Sequence, residues 1–197
     1  MRSTFLIVIA MAASSCVSSR PVHYYTIEPP PPSAGQGKPD GPTLVVGSIV
    51  TAENLQDGRI RYRKGPNEAG AYEYHRWTER PGEMIRESLV RTLRASGQYR
   101  RVLEADSSAV GDYRVRGKLY EFGEVDDATI QTIISLHLEV VDARVNRTVW
   151  DRSLEHEDPV AGKTVADVVQ SLDRNLRHVV NEAAADIGVF LASENKR

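Results

Sequence analysis

Cys16 is the only cysteine in this 197-residue chain, and it closes an apolar N-terminal run, Phe5 to Ala13, through Ser14-Ser15. A thiol so placed is a candidate lipid anchor, because a cysteine this close to a cleavage site has no core to be buried in. Without a second cysteine there is neither an intramolecular disulfide nor a thiolate zinc site. The five histidines, His23, His75, His137, His156 and His178, show no metal-ligand spacing. Ala161-Gly162-Lys163-Thr164 ends like a phosphate-binding loop. That loop, however, needs a glycine five residues before Gly162, where this chain has Glu157, a carboxylate that would face the phosphates. Pro159 also falls inside the loop. A capped helix start accounts for these residues, so no nucleotide is expected. No glycine-flanked nucleophilic serine is present, and Glu121, Glu124, Asp126 and Asp127 read as an acidic turn rather than an acid/base pair. The expectation is a protein with no catalytic residue, no metal and no cofactor. An envelope hydrolase is the minor alternative.

Arg2 and the apolar run after it have the order of an export signal, and a run of about nine residues is too short for a bilayer, which takes roughly 20. Ala13-Ser14-Ser15-Cys16 resembles the lipobox of bacterial lipoprotein signals, in which the cysteine becomes the first mature residue and takes diacylglycerol on its sulfur. The position three before the cysteine, usually a larger aliphatic, is Ala13. The reading is a signal peptide over 1–15, a lipidated tether over 16–20 and a single domain over 21–197. Each buried methylene of an attached chain such as palmitate contributes about 0.8 kcal/mol to membrane binding. The formal net charge of −2 argues against a nucleic-acid partner.

The elements follow from periodicity. Pro21 to Ile27 reads as a strand, and a proline- and glycine-rich connector over 28–42 interrupts regular structure. Leu44 to Val50 reads as a buried strand, and Arg59–Arg63 with Ala71–Trp77 as a hairpin. A helix begins near Thr78 to Pro81 and ends at Ser96-Gly97, with Ile85, Leu89 and Leu93 on its apolar face. From Asp112 the pattern has period two, with Tyr113, Val115, Gly117 and Leu119 on one side and a basic stripe of Arg114, Arg116 and Lys118 on the other. With Ile134 to Val140 and Thr148 to Leu154 it forms a three-stranded antiparallel meander. Val165 to Leu191 keeps helical spacing, and Thr164 with Asp167 makes a capping-box-like start. The fold class expected is α+β, a mostly antiparallel sheet with two helices on one face and the other face open. The basic stripe on that open face is either solvated or set against phospholipid headgroups or an acidic partner. Asn146-Arg147-Thr148 has the letters of a glycosylation sequon but reads as a turn.

His23-Tyr24-Tyr25-Thr26-Ile27 soon after the lipobox, Tyr62-Arg63, Tyr72 to Trp77, the helix from Met84 to Gly97, Asp112 to Lys118 and Trp150 carry a family likeness in their order as well as their content. The chain resembles the ABC-type transport auxiliary lipoprotein family. The resemblance implies a lipoprotein on the periplasmic face of the outer membrane. It would work beside an ATP-binding cassette transporter or a mammalian-cell-entry-type protein that moves lipids or other hydrophobic substrates between membranes. Val17 after the cysteine, rather than aspartate, agrees with outer-membrane sorting. ATP hydrolysis would belong to another subunit, and a homo-oligomer is allowed. Tyr72, Tyr74 and Trp77 are the candidate partner-interface anchors, since Tyr and Trp bury large area with few torsions to freeze. The competing reading places the same aromatics under the first helix. A structural or assembly lipoprotein of the outer membrane, with no transporter partner, is the other alternative.

Overall fold

The computed structural model describes residues 20–31, 37–105 and 108–194. The expected signal peptide, Cys16, the tether up to Ser19 and the centre of the proline-rich connector lie outside the described residues. Within them the chain runs β1 (His23–Tyr25), β2 (Thr43–Thr51), a 3-10 turn (Glu53–Leu55), β3 (Arg59–Lys64), β4 (Glu68–Trp77), α1 (Pro81–Ala95), β5 (Arg101–Glu104), β6 (Tyr113–Asp126), β7 (Ile130–Asp142), β8 (Arg147–Pro159) and α2 (Val165–Glu194). This is the α+β order of strands, helix, strands, helix.

The sheet is mixed, and β6 is its spine. Along one side β6 pairs antiparallel with β7 from Tyr113 to Asp126, and β7 pairs antiparallel with β8. Along its other side β6 carries two strands in succession, both parallel to it. Its N-terminal half takes β2, with Leu44 opposite Tyr113, and its C-terminal half takes β3, with Arg61 opposite Gly123. β2 continues to β5, and β3 continues through its antiparallel hairpin partner β4 to β1. The long ladders are antiparallel, as the alternating patterns require. The parallel ones are short, and β5, which the sequence pattern did not mark, buries only Val102.

Each element ends for an identifiable reason. Pro81 opens α1 with Glu83 in its first turn, and Gly97 follows it at φ 65°, a conformation that glycine takes without strain. At the start of α2 the Thr164 amide donates to Asp167 Oδ2 (2.9 Å), and the Asp167 amide donates to Thr164 Oγ1 (3.2 Å). These reciprocal bonds form the expected capping box. The Asp167 carboxylate, held below the usual range by the Thr164 hydroxyl and amide, occupies the helix start where a phosphate would have to sit. The β7–β8 turn contains Asn146 at φ 48°, so the sequon-like triplet lies in a turn.

α2 runs unbroken for 30 residues, about 45 Å, across β7 and β8, while α1 lies over β2 and β5 and touches α2. Ile85, Leu89 and Leu93 of α1 and Leu172, Leu176, Val179, Ala183 and Ile187 of α2 meet Val115, Leu119, Phe122, Ile134, Leu136 and Leu138 of the sheet in one core. Asn175, wholly buried on α2, donates to the Thr132 and His156 carbonyls (3.1 and 3.0 Å), so helix and sheet are registered by polar bonds as well as by packing. Both helices thus cover one face. Among the described residues no helix is long and apolar enough to cross a membrane.

Candidate docking surface

The aromatic segment Tyr72 to Trp77 lies at the end of the sheet nearest the N-terminus, between β3 and β1. The β3–β4 register jumps here: Arg59 faces Arg76 and Arg61 faces Ala71, so four residues of β4, Tyr72 to His75, oppose Ile60 alone. In a regular strand Tyr72 and Trp77, five apart, would face opposite ways. The irregularity lets both reach inward. Trp77 is only 4% exposed and packs edge-on to Phe122, ring centres 5.5 Å apart, so this side chain belongs to the core and presents no surface to a partner. Tyr72 is half-buried, and its hydroxyl donates to Glu124 Oε2 at 2.7 Å. Burial, reinforced by that bond to a carboxylate, raises the Tyr72 pKa well above the phenol range. Tyr74 is partly exposed, with the Arg20 guanidinium 5.7 Å from its ring centre.

β1 is held to β4 by more than three residues of ladder. His23 faces His75 across the parallel pair, with rings stacked 5.2 Å apart, and the Tyr25 hydroxyl lies 2.9 Å from His75 Nδ1. Tyr72 packs edge-on against His75 and tilted against Tyr62. His75 is held below the ordinary imidazole value, first by burial and second by His23. The cluster therefore joins the strand leaving the N-terminal segment to the hairpin and, through Glu124, to the β6 spine.

Glu124 also corrects the reading of an acidic turn. Glu121, Glu124 and Asp126 lie within β6 and only Asp127 falls in the turn, because β6 extends past a bulge between Leu119 and Glu121. Glu124 is buried at 7% exposure. The other histidines are local: His137 Nδ1 is 3.0 Å from Ser153 Oγ, and His156 stacks on His178 beside Asn175. Among the described residues no group of three His, Cys, Asp or Glu is placed to hold a metal ion.

The face of the sheet away from the helices is polarised. Ladder register puts Tyr24, Arg76 and Arg59 in one row across β1, β4 and β3, with Arg61 and Arg63 following on the same side. β6 adds the expected stripe, Arg114, Arg116 and Lys118, all exposed. Acidic groups offset part of this charge: Asp57 pairs with Arg59 and Arg61 (2.6 and 2.9 Å), Glu121 lies 3.8 Å from Arg63, and Glu139 pairs with Arg116 at 2.7 Å. At the far edge β8 turns Asp151, Glu155 and Glu157 outward. Between the two lies a hollow of about 400 Å³, lined by Arg61, Arg63, Tyr120, Gly123, Val125 and Ile133 among others. The arrangement provides cations, exposed tyrosines and apolar floor, which suits binding.

Comparison with known proteins agrees with this picture. The family described as ABC-type transport auxiliary lipoprotein component matches residues 25–184. No curated protein matches the sequence. Among solved structures, the fold is similar to that of protein XCC0632 from Xanthomonas campestris, with a TM-score of 0.79 at 18% identity, covering 89% of this chain and all of that one. An uncharacterized protein aligns with a TM-score of 0.67 at 13% identity, over 85% of this chain and 99% of its own. The hypothetical protein CT253 from Chlamydia trachomatis reaches 0.51 at 11% identity, over 77% of this chain and 98% of its own. At such identities the likeness establishes the fold alone.

Proposed function

Because the chain belongs to the family of ABC-type transport auxiliary lipoprotein components, we propose that it is a membrane-anchored, non-catalytic docking component of a system moving lipids or other hydrophobic substrates between membranes. The family match over most of the domain carries this reading. The sequence around Cys16 supplies the anchor: acylation at the sulfur confines the domain to the periplasmic face of the outer membrane and raises its effective concentration for a partner arriving across the periplasm. The partner is a transporter subunit, either of the ATP-binding cassette or of the mammalian-cell-entry type, and ATP hydrolysis belongs to a subunit other than this chain. Tyr74 and the sheet edge serve as the contact surface, with Tyr72 holding the hairpin beneath.

The test is purification of a C-terminally tagged chain from detergent-solubilised membranes. Transporter subunits are expected to come with it, and the Cys16→Ser chain is expected in the soluble periplasmic extract instead. Mass spectrometry of the native N-terminus should show the mass of an acylated Cys16. Recovery of the acylated chain with no transporter subunit would replace the reading by that of a structural lipoprotein, and a free thiol at Cys16 would remove the anchor.

A further inference from the structure

We propose that the cationic half of the open sheet face, over β1, β4, β3 and the first half of β6, lies against the anionic headgroups of the bilayer that holds the anchor. The surface rests on the anchor reading above, and three observations carry it further. The first is reach. Six residues lie between Cys16 and His23, seven Cα–Cα steps and at most about 25 Å of extended chain, which is shorter than the roughly 45 Å of α2. The β1 end of the sheet is therefore the end nearest the membrane.

The second observation is the placement of charge. The whole chain is slightly acidic, yet the rows beside β1 send Arg59, Arg63 and Arg76 outward, and the half of β6 that pairs with β2 turns Arg114, Arg116 and Lys118 to the same face. The acidic counterpart, Asp151, Glu155 and Glu157, sits on the opposite edge of the same face, on β8, away from the tether. A bilayer carrying negative charge attracts the first edge and repels the second, which selects one tilt of the domain. The third observation is the kind of apolar group that accompanies the charge. Tyr24 is 64% exposed and Tyr120 45%, with the Lys118 ammonium 4.9 Å from the Tyr120 ring centre. Tyrosine beside lysine or arginine is the composition that settles at the headgroup level, its ring among the acyl ends and its hydroxyl in water.

The occupant is a lipid surface and not a nucleic acid, since the proposed anchor already puts the β1 end of the sheet beside a membrane. The experiment uses the mature chain from residue 16 with Cys16→Ser, so that acyl chains contribute nothing, and reads sedimentation with vesicles. Binding is expected to vesicles of phosphatidylglycerol with phosphatidylcholine, to be absent with phosphatidylcholine alone, and to be lost at high salt. The triple variant Arg63→Glu, Arg76→Glu, Lys118→Glu should bind at least about tenfold more weakly. The pair Arg147→Glu, Lys163→Glu, away from the surface, should bind within about twofold of the parent chain. Circular dichroism melts confirm that each variant is folded.

Equal binding to neutral and anionic vesicles, or an unchanged triple variant, overturns the proposal. Failure to bind vesicles together with retention on immobilised polyglutamate also overturns it, and assigns the face to an acidic protein partner instead. The anchor is read separately: an acylated native chain whose Cys16→Ser form ignores anionic vesicles keeps the anchor and loses this surface.

Discussion

At the scale of single residues, the bond from Tyr72 to Glu124 ties the hairpin to the β6 spine. It joins positions 52 apart, inside a half-buried site. Removing the hydroxyl leaves a buried carboxylate without this donor, a cost of about 1–3 kcal/mol. Tyr72→Phe should lower the denaturation midpoint accordingly, while Tyr74→Phe should leave it unchanged; equal midpoints for the two would show that the bond contributes little. The histidine pair gives a pH dependence whose sign is fixed. Burial and the neighbouring His23 hold His75 below the ordinary imidazole value in the folded chain, so the unfolded chain binds the proton more readily. The contribution is complete above about pH 6.5 and is lost as the pH falls through that value toward the folded one. Melting temperatures at pH 7.5 and 5.5 should therefore differ less for His75→Gln than for the parent chain, and an identical difference would remove His75 as the cause. None of this was legible in the sequence. Period-two alternation tells which way a side chain faces, not which distant residue it meets, and the β4 irregularity that turns both Tyr72 and Trp77 inward leaves no mark in the pattern.

At the scale of elements, the sequence was most informative where partners are local. The β3–β4 hairpin, the β6–β7–β8 meander and both helices follow from turn residues and spacing alone, and the capping box of α2 appears where Thr164 and Asp167 predict it. The four parallel pairings among the described residues were not legible, because a parallel neighbour is chosen by the whole fold and has no connecting turn to announce it. β5 escaped because a four-residue strand with one buried side chain carries too little pattern. α2 is the element that closes the core, and Leu176 lies fully inside it, 1% exposed. Leu176→Ala should destabilise by about 2–5 kcal/mol in chemical denaturation, with secondary structure retained in the native baseline. A loss below about 1 kcal/mol would mean that α2 packs more loosely than its burial indicates.

At the scale of the molecule, the fold puts its three kinds of surface in different places. The helices face solvent on one side, the sheet presents a polarised face on the other, and the strand following the proposed anchor lies at the sheet's edge beside the hairpin. Composition gave a net charge close to zero and so hid the polarity of the open face, which emerges only when β3, β6 and β8 are placed in one sheet.

The two-stranded side of β6 also governs the order of assembly. Residues 43–51 and 59–64 join the central strand only through residues 113–126, so more than half the sequence must emerge before either of these two pairings can close. Loop closure over some 60 residues makes that step slow compared with the local β3–β4 hairpin and the meander. The meander of β6, β7 and β8 is the natural nucleus, and the N-terminal strands condense onto it afterwards.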